Sequence, residues 1–579
     1  MVSLLFGRLL PLIFLMLLGC SQITAPAQEE ASRIIFPDMI YDESRAWVDS
    51  VYESLSERQK IAQLFWLAVE NVDNQVAYGR LKSLVKEHQP GGILLFRMRP
   101  ERAQQVITDL QSESELRLLV SIDGEWGLAM RFADVTPFPY AMTLGAIQDD
   151  SLIFRMGLEM ARQFRLMGIH VNMAPVADVN SNPNNPVIGH RSFGEIPDNV
   201  SRKAVAYMQG LQEGGVMAVG KHFPGHGDTD TDSHKTLPIV NHTLDRLNEM
   251  DLPPFRALTD AGIWAVMTAH IEVPALEATK GVPSSFSKGV IEDLLRKQMG
   301  FNGLVITDAV NMQGAKVMGR PGVVDALALA AGNDIVEFTE NLPAAIEEVL
   351  KFIESGQLSW AQIEDKCRRS LAFKYWLTER LPSGEHCTED IVKCLNSVET
   401  YELNQKLHNA ALTVLRNENE ALPLSGGFSG NYACVVLGSA PSLSADIRIQ
   451  FKLPVYELST SDGAAFDRVI SSLDRYDGFV IVVADTRWGR LAANQARKMR
   501  LMRLAEKGRS VSVFMGNAYH LASWSGLTKS TALIVSYQNN VFAERAVMQL
   551  LQGKITANGQ LPVSVGELFN AGDGINIPK

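Results

Sequence analysis

Residues 149–177 read DDSLIFRMGLEMARQFRLMGIHVNMAPVA, and the rest of the chain parses outward from them. Asp149, Asp150 and Ser151 supply side-chain oxygens that cap the free N–H groups of a helix start. Ile153, Met156, Met160, Phe164 and Met167 then recur at spacings of three and four, which puts them on one helix face. Gly168 ends the helix, and the apolar run Ile169–Ala177 reads as a strand.

The next unit repeats this grammar. A helical stretch from Arg202 stops at Gly214-Gly215, and Val216–Gly220 leads into a polar loop. Between about residues 60 and 340 the candidate strands are Leu64–Val69, Gly92–Phe96, Leu118–Ile122, Ile169–Ala177, Val216–Gly220, Trp264–Ala269, Leu304–Thr307 and Asp334–Phe338. Short apolar runs alternating with helical segments predict βα units around a parallel sheet. Eight of them suit a (β/α)8 barrel, and an open doubly wound sheet is the alternative. Asp123, Asp178, Lys221, His222, His270 and Asp308 each stand just past an apolar run, and either architecture gathers such positions at one end of its sheet.

The predicted barrel domain covers residues 46–380. Residues 381–400 mix Pro, Gly, Cys and charge without a period and are read as a linker. Residues 401–579 hold a second set of apolar runs, Tyr432–Leu437, Phe479–Ala484, Ser510–Met515 and Ala532–Val535, and are expected to form an α/β sandwich. Neither GxGxxG nor GxxxxGK[ST] occurs there, so nucleotide binding has no support.

At 579 residues, with 46% hydrophobic and 21% charged residues, the chain has globular composition and room for several cores. Its formal charge of -11 gives no long-range attraction for polyanions, and nucleic acid is not an expected partner. Leu9–Leu18 behind Arg8 is shorter than the roughly 20 apolar residues of a spanning helix and reads as a secretory signal over residues 1–20. Leu17-Leu18-Gly19-Cys20 resembles a bacterial lipobox, which implies lipidation of Cys20 and an exported, membrane-anchored lipoprotein. A cleaved signal or an uncleaved anchor is the alternative, and residues 21–45 are the expected tether. The other cysteines, Cys367, Cys387, Cys394 and Cys434, are too few for a disulfide scaffold; Cys387 and Cys394 either close a small loop or stay free.

The densest polar cluster is Lys221-His222-Phe223-Pro224-Gly225-His226-Gly227-Asp228-Thr229-Asp230-Thr231-Asp232-Ser233-His234. A calcium loop fails on Ser233, where the turn needs Gly, and on Ile239, where a bidentate Glu belongs. A zinc site from His226, Asp228 and His234 is the stronger rival. Acid/base chemistry is the third reading: Asp232 and His234, separated by one residue, can pair so that the carboxylate orients the ring and stabilises its protonated form. Asp308, at the end of the run Gly303–Ile306, is either a nucleophile at a strand end or a helix N-cap.

Together the Lys221–His234 loop, the Asp308 segment and Ser121-Ile122-Asp123-Gly124-Glu125 resemble glycoside hydrolase family 3, in its β-N-acetylglucosaminidase branch. The resemblance implies Asp308 as nucleophile, His234 as acid/base and Asp232 as its partner. It implies substrate binding by Asp123, Arg131, Arg191, Lys221 and His222, with no metal or cofactor. The family's Asp-Gln-Glu-Gly-Gly pattern is altered here to Asp123-Gly124-Glu125-Trp126-Gly127.

The expected function is a retaining exo-β-N-acetylglucosaminidase acting on β-GlcNAc-terminated peptidoglycan fragments or chitin-like oligosaccharides. A β-glucosidase or phosphorolytic member of the same family, and a non-catalytic sugar-binding lipoprotein, are the alternatives. Nothing in the sequence sets the oligomeric state.

Overall fold

The computed structural model describes residues 35–380 except His234, together with residue 387 and residues 390–424, 430–487 and 492–579. The expected signal, Cys20 and most of the expected tether lie outside the described residues. The tether is shorter than expected: a helix starts at Pro37, runs to Ser54 and buries Ile40, Val48 and Tyr52, so residues 37–45 are folded.

The first sheet is a parallel barrel. Its strands are β1 Phe65–Val69, β2 Gly92–Leu95, β3 Leu119–Ile122, β4 Val171–Asn172, β5 Met217–Phe223, β6 Ala265–Thr268, β7 Leu304–Thr307 and β8 Val336–Glu337. They are ordered β7-β6-β5-β4-β3-β2-β1-β8. The ring closes where the Thr307 N–H donates to the Ile335 carbonyl at 3.0 Å and Ile335 bridges Ile306. This decides for the barrel over the open sheet.

The helix predicted between residues 151 and 167 spans Ser151–Leu166, and Ile153, Met156, Met160, Phe164 and Met167 are all buried. Burying side chains of this size stabilises the fold by roughly 1.5–3 kcal/mol each. The cap differs in detail from the expectation. Asp149 alone receives the Ser151 N–H and hydroxyl, while Asp150 turns to Arg202 and the buried Lys203 on the following helix. Gly168 takes φ +73, and the Ile169 N–H reaches back to the Phe164 carbonyl.

Only Val171–Asn172 of the expected strand Ile169–Ala177 pairs regularly, because Pro175 has no N–H to give. Asn172 uses its side-chain amide instead, accepting from the Gly124 N–H at 2.9 Å and donating to the Gly124 carbonyl. That clamp fixes the backbone beside Asp123.

The second sheet holds β9 Thr413–Asn417, β10 Tyr432–Leu437, β11 Val455–Leu458, β12 Gly478–Val483, β13 Val511–Phe514 and β14 Ala532–Val535, in the order β11-β10-β12-β13-β14-β9. All pairs are parallel except β14 with β9. Helices on both faces complete an α/β sandwich. Both strands missing from the sequence reading, β9 and β11, are edges, where one-sided burial weakens the apolar signal.

The expected linker is not wholly irregular. Helices Ile391–Leu395 and Val398–Ala411 occupy its described second half, and Cys387 is disulfide-bonded to Cys394. The two layers meet tightly: Leu561, Val563 and Val565 are buried in the same apolar cluster as the barrel helices.

Candidate active site

The C-terminal ends of the barrel strands enclose a cavity of about 440 Å³. Asp123 reaches it from the end of β3, Lys221 and His222 from β5, and Asp308 from the end of β7. Arg131 and Arg191 enter on the loops that follow β3 and β4. The expected binding residues Asp123, Arg131, Arg191, Lys221 and His222 and the expected nucleophile Asp308 therefore line one pocket, although 185 positions separate the first from the last.

Its floor is a lattice of opposite charges. Lys221 Nζ lies 2.8 Å from Asp123 and 3.1 Å from Glu125. Arg131 donates to the other Asp123 oxygen at 2.5 Å. Arg191 grips Glu125 with two parallel bonds of 2.9 and 2.6 Å, the geometry in which a guanidinium matches a carboxylate. Burial pushes the Glu125 carboxyl up, but Arg191 and then Lys221 outweigh it and hold the group down at about 2. Burial likewise opposes ionisation of Asp123, and Lys221 and Arg131 win there too, so it stays far below the usual carboxylate range.

Asp308 follows β7, and its own backbone N–H donates to the Thr268 carbonyl of β6. Its carboxylate accepts the Ala309 N–H at 2.8 Å. The N-cap reading fails, because the next helix is Gln313–Lys316 and its N-cap is Met312. Burial raises the Asp308 carboxyl, but His222, His270, the Ala309 N–H and Lys221 together hold it below its ordinary value. The group stays anionic, as a carboxylate nucleophile must.

Both histidines are fixed from behind. His222 Nδ1 lies 2.8 Å from Asp178, which also accepts the backbone N–H groups of His222 and His226. His270 Nε2 meets the Ala309 carbonyl, which can only accept, so the proton sits there and Nδ1 accepts from Ser285 at 2.7 Å.

The loop after β5 forms one wall. Burial drives His226 down to about 4, so its ring is neutral, with Thr229 on Nδ1 at 2.8 Å and Ser233 on Nε2 at 3.0 Å. Asp228 pairs with His242 at 2.5 Å. Two of the three groups in the rival zinc reading are thus turned to other partners. Gly227 packs so closely on Val179 that an added Cβ would sit 1.8 Å from its carbonyl oxygen. Ser233 lines the cavity, and its carbonyl accepts the Gly314 N–H. The Asp232 carbonyl accepts the N–H groups of Lys235 and Thr236. His234 itself lies outside the described residues, so its expected pairing with Asp232 is not described.

The pattern of the "Glycosyl hydrolase family 3 N terminal domain" matches residues 56–372, more than half of the chain. The chain belongs to glycosyl hydrolase family 3. "Beta-hexosaminidase A" of Pseudoalteromonas piscicida is 32% identical over 380 residues, covering 59% of this chain and 62% of that protein. "Beta-hexosaminidase" of Chromobacterium violaceum is 37% identical over 256 residues, covering 42% of this chain and 71% of that protein. A solved family 3 β-N-acetylglucosaminidase from Paenibacillus sp. superposes with a TM-score of 0.73 at 28% identity, over 88% of this chain and 98% of that one. The match to the first of these relatives thus spans less than two thirds of its length.

Three further residues of this family 3 pocket were not among the expected site residues. Glu125, quoted only as part of a motif, is the common anchor of Arg191 and Lys221. Asp178 was marked only as a strand-end residue, and it holds His222. Glu337 lines the cavity from β8, and the sequence signal was available: an acid inside the apolar run Ile335-Val336-Glu337-Phe338. The altered motif also finds its reason. A Cβ at Gly124 would lie 2.8 Å from Phe164 and 3.0 Å from the Asn172 oxygen. Trp126 turns to a cluster with Tyr140 and His190, ring to ring at 4.9 and 4.8 Å, leaving Asp123 in the pocket.

Proposed function

We propose that this family 3 chain is a retaining exo-β-N-acetylglucosaminidase. The observation that carries the reading is the placement of an ionised Asp308 in one cavity with Asp123, Arg131, Arg191, Lys221 and His222. In this mechanism Asp308 attacks the anomeric carbon and forms a glycosyl-enzyme. His234, oriented by Asp232, protonates the departing glycosidic oxygen and then takes a proton from the attacking water. Asp123, Arg131 and Lys221 bind ring hydroxyls, and Arg191 and His222 complete the wall around the sugar.

Two relatives named β-hexosaminidase and the β-N-acetylglucosaminidase neighbour support the choice of sugar. The lipobox-like Leu17–Cys20 supports a further part of the proposal: an exported lipoprotein that meets peptidoglycan fragments or chitin-like oligosaccharides outside the cytoplasm. The test is release of phenol from an aryl N-acetyl-β-glucosaminide, with capture of Asp308 by an activated fluoro-sugar. Asp308→Ala is expected to abolish turnover and leave sugar binding largely intact. Normal turnover by that variant, or a label on another carboxylate, overturns the assignment, and product analysis with and without phosphate separates hydrolysis from phosphorolysis.

A further inference from the structure

Two buried polar atoms among the described cavity-lining residues have no hydrogen-bond partner: Nε of Arg131 and Oε1 of Glu337. Buried polar groups are satisfied in the great majority of cases, and an exception that lines a cavity calls for an explanation, of which a ligand contact is one. Glu337 is only 2% exposed, at the end of β8. Its backbone is fully committed, since its N–H donates to Thr307 Oγ1 and its carbonyl accepts the Val310 N–H. The strand therefore holds the side chain at the cavity floor, with nothing there to receive it.

Charge arithmetic shows which form it takes. Lys221, Arg131 and Arg191 are already taken by the buried carboxylates Asp123 and Glu125, and Asp308 stands beside them as a further anion. A fourth anion at Glu337 would have no counter-ion left to pair with. Burial first, then repulsion by Asp123 and Asp308, push its carboxyl well above the ordinary range. Glu337 thus carries its proton and offers an O–H donor and a carbonyl acceptor side by side.

We infer that Glu337 is a specificity-determining residue, whose unpartnered carboxyl binds one ring hydroxyl of the glycone beside Asp123. A carboxylic acid that can donate and accept at once matches a hydroxyl, which does the same. Asp123 is its strongest neighbouring charge, so the hydroxyl lies on the edge of the sugar held by Asp123. The adjoining Arg131 Nε–H, also buried and unpartnered, marks the same edge as polar. The inference rests on the glycosidase reading above.

The experiment compares the aryl N-acetyl-β-glucosaminide with its 3-deoxy, 4-deoxy and 6-deoxy analogues. Glu337→Leu should lower kcat/KM about tenfold on the parent sugar, the scale of one lost neutral hydrogen bond. The loss should vanish on the one analogue that lacks the contacted hydroxyl. Glu337→Gln, which keeps the shape and can still hydrogen-bond, should lose less on the parent and show the same single exception. A loss of equal size across all four substrates would mean that Glu337 only props up its neighbours, and no loss at all would mean no contact; either overturns the inference. If Glu337→Leu does not fold, the Gln pattern decides by the same criterion. Should the wild type turn over no aryl glycoside, the glycosidase reading fails separately. Calorimetric binding of the methyl glycosides of the same deoxy series then tests Glu337, and uniform affinities in wild type and variant would sink it.

Discussion

At the floor of the cavity Lys221, Arg131 and Arg191 each hold a buried carboxylate, whereas the loop from Pro224 to Ser233 beside it is fastened by hydroxyls, backbone groups, a neutral imidazole and the half-buried Asp228–His242 pair, with no Lys or Arg partner among these contacts. The floor is expensive to disturb, because removing one member strands a buried charge. The loop is held by several modest bonds, each separately cheap to break. On the proposed function the floor would bind the sugar and gain from rigidity, since its groups are aimed before the substrate arrives. A wall held by weaker bonds can settle around a substrate.

Lys221→Met should break this contrast most severely. It leaves Asp123 and Glu125 buried without their shared cation, and losing one partner of a buried pair costs about 3–5 kcal/mol. Urea unfolding should show that loss along with at least a hundredfold drop in kcat/KM. An unchanged unfolding midpoint would show that charge does not hold the floor.

The second test separates the two regions by pH. Asp251 lies under the loop, where an added Cβ at Gly225 would come within 2.8 Å of it. Burial pushes its carboxyl up from 3.8 to about 7; Arg246 and His242 oppose this, and Asp228 and Asp178 add to it. The folded state therefore binds more protons than the unfolded chain between about pH 4 and 7, and stability falls as pH rises through that window. His226 acts in the opposite sense: with its folded value lowered to about 4, stability rises with pH from there to about 6.5. Asp251→Asn should remove the Asp251 share of the fall, a difference of roughly 2–4 kcal/mol near neutrality, and leave the rise. Of the floor, Asp123 and Glu125 should contribute nothing in this window, since they are already ionised, whereas Glu337, raised like Asp251, adds a fall of its own that Asp251→Asn leaves in place. Denaturant melts at half-unit pH steps read the difference, and parallel profiles for variant and wild type would remove Asp251 from it.

Arg191→Lys sharpens the picture of the floor at a smaller scale. One ammonium cannot reproduce two parallel bonds to Glu125, so stability should drop by about 1–3 kcal/mol despite the conserved charge. A neutral outcome in thermal unfolding would reduce the pair to simple Coulomb attraction. Tyr519→Phe should have the smallest effect. It removes a hydroxyl of the sandwich layer that bonds both the side-chain amide and the carbonyl of Asn180, at a cost of about 1 kcal/mol and with only a slight rise in KM. A large fall in kcat from this variant would show that the second layer acts on chemistry rather than on support.

The barrel was legible because its strands are buried on both faces and its helices carry regular apolar stripes, as Ile153 to Met167 do. The strand-end rule found Asp123, Lys221, His222 and Asp308 from the same pattern, and the motif resemblance added Arg131 and Arg191. Edge strands β9 and β11 escaped because half-exposed runs such as Val455–Leu458 lack that contrast. The helix at Pro37 escaped because it was counted with a polar tether. Glu125 and Glu337 escaped for another reason. Their roles are set by which charges surround them, and that count becomes visible only when positions far apart in sequence meet.

The segment that carries Arg191 is finished by residues very far from it along the chain. Glu195 donates its N–H to the Pro562 carbonyl and accepts the Ser564 hydroxyl, a contact spanning 369 positions. An added Cβ at Gly194 would fall 2.3 Å from that same Pro562 oxygen. At roughly 5–20 residues per second of synthesis, the interval between the two halves of this contact is on the order of 20–70 seconds. Strands β1 to β4 precede that interval and β5 to β8 emerge within its first part, so a ribosome-bound chain can close its ring while the Arg191 wall is still unsecured. Limited proteolysis of chains stalled before Gln560 would show the wall cut and the barrel intact. The Arg191 wall of the cavity is thus the last part of this barrel to be secured.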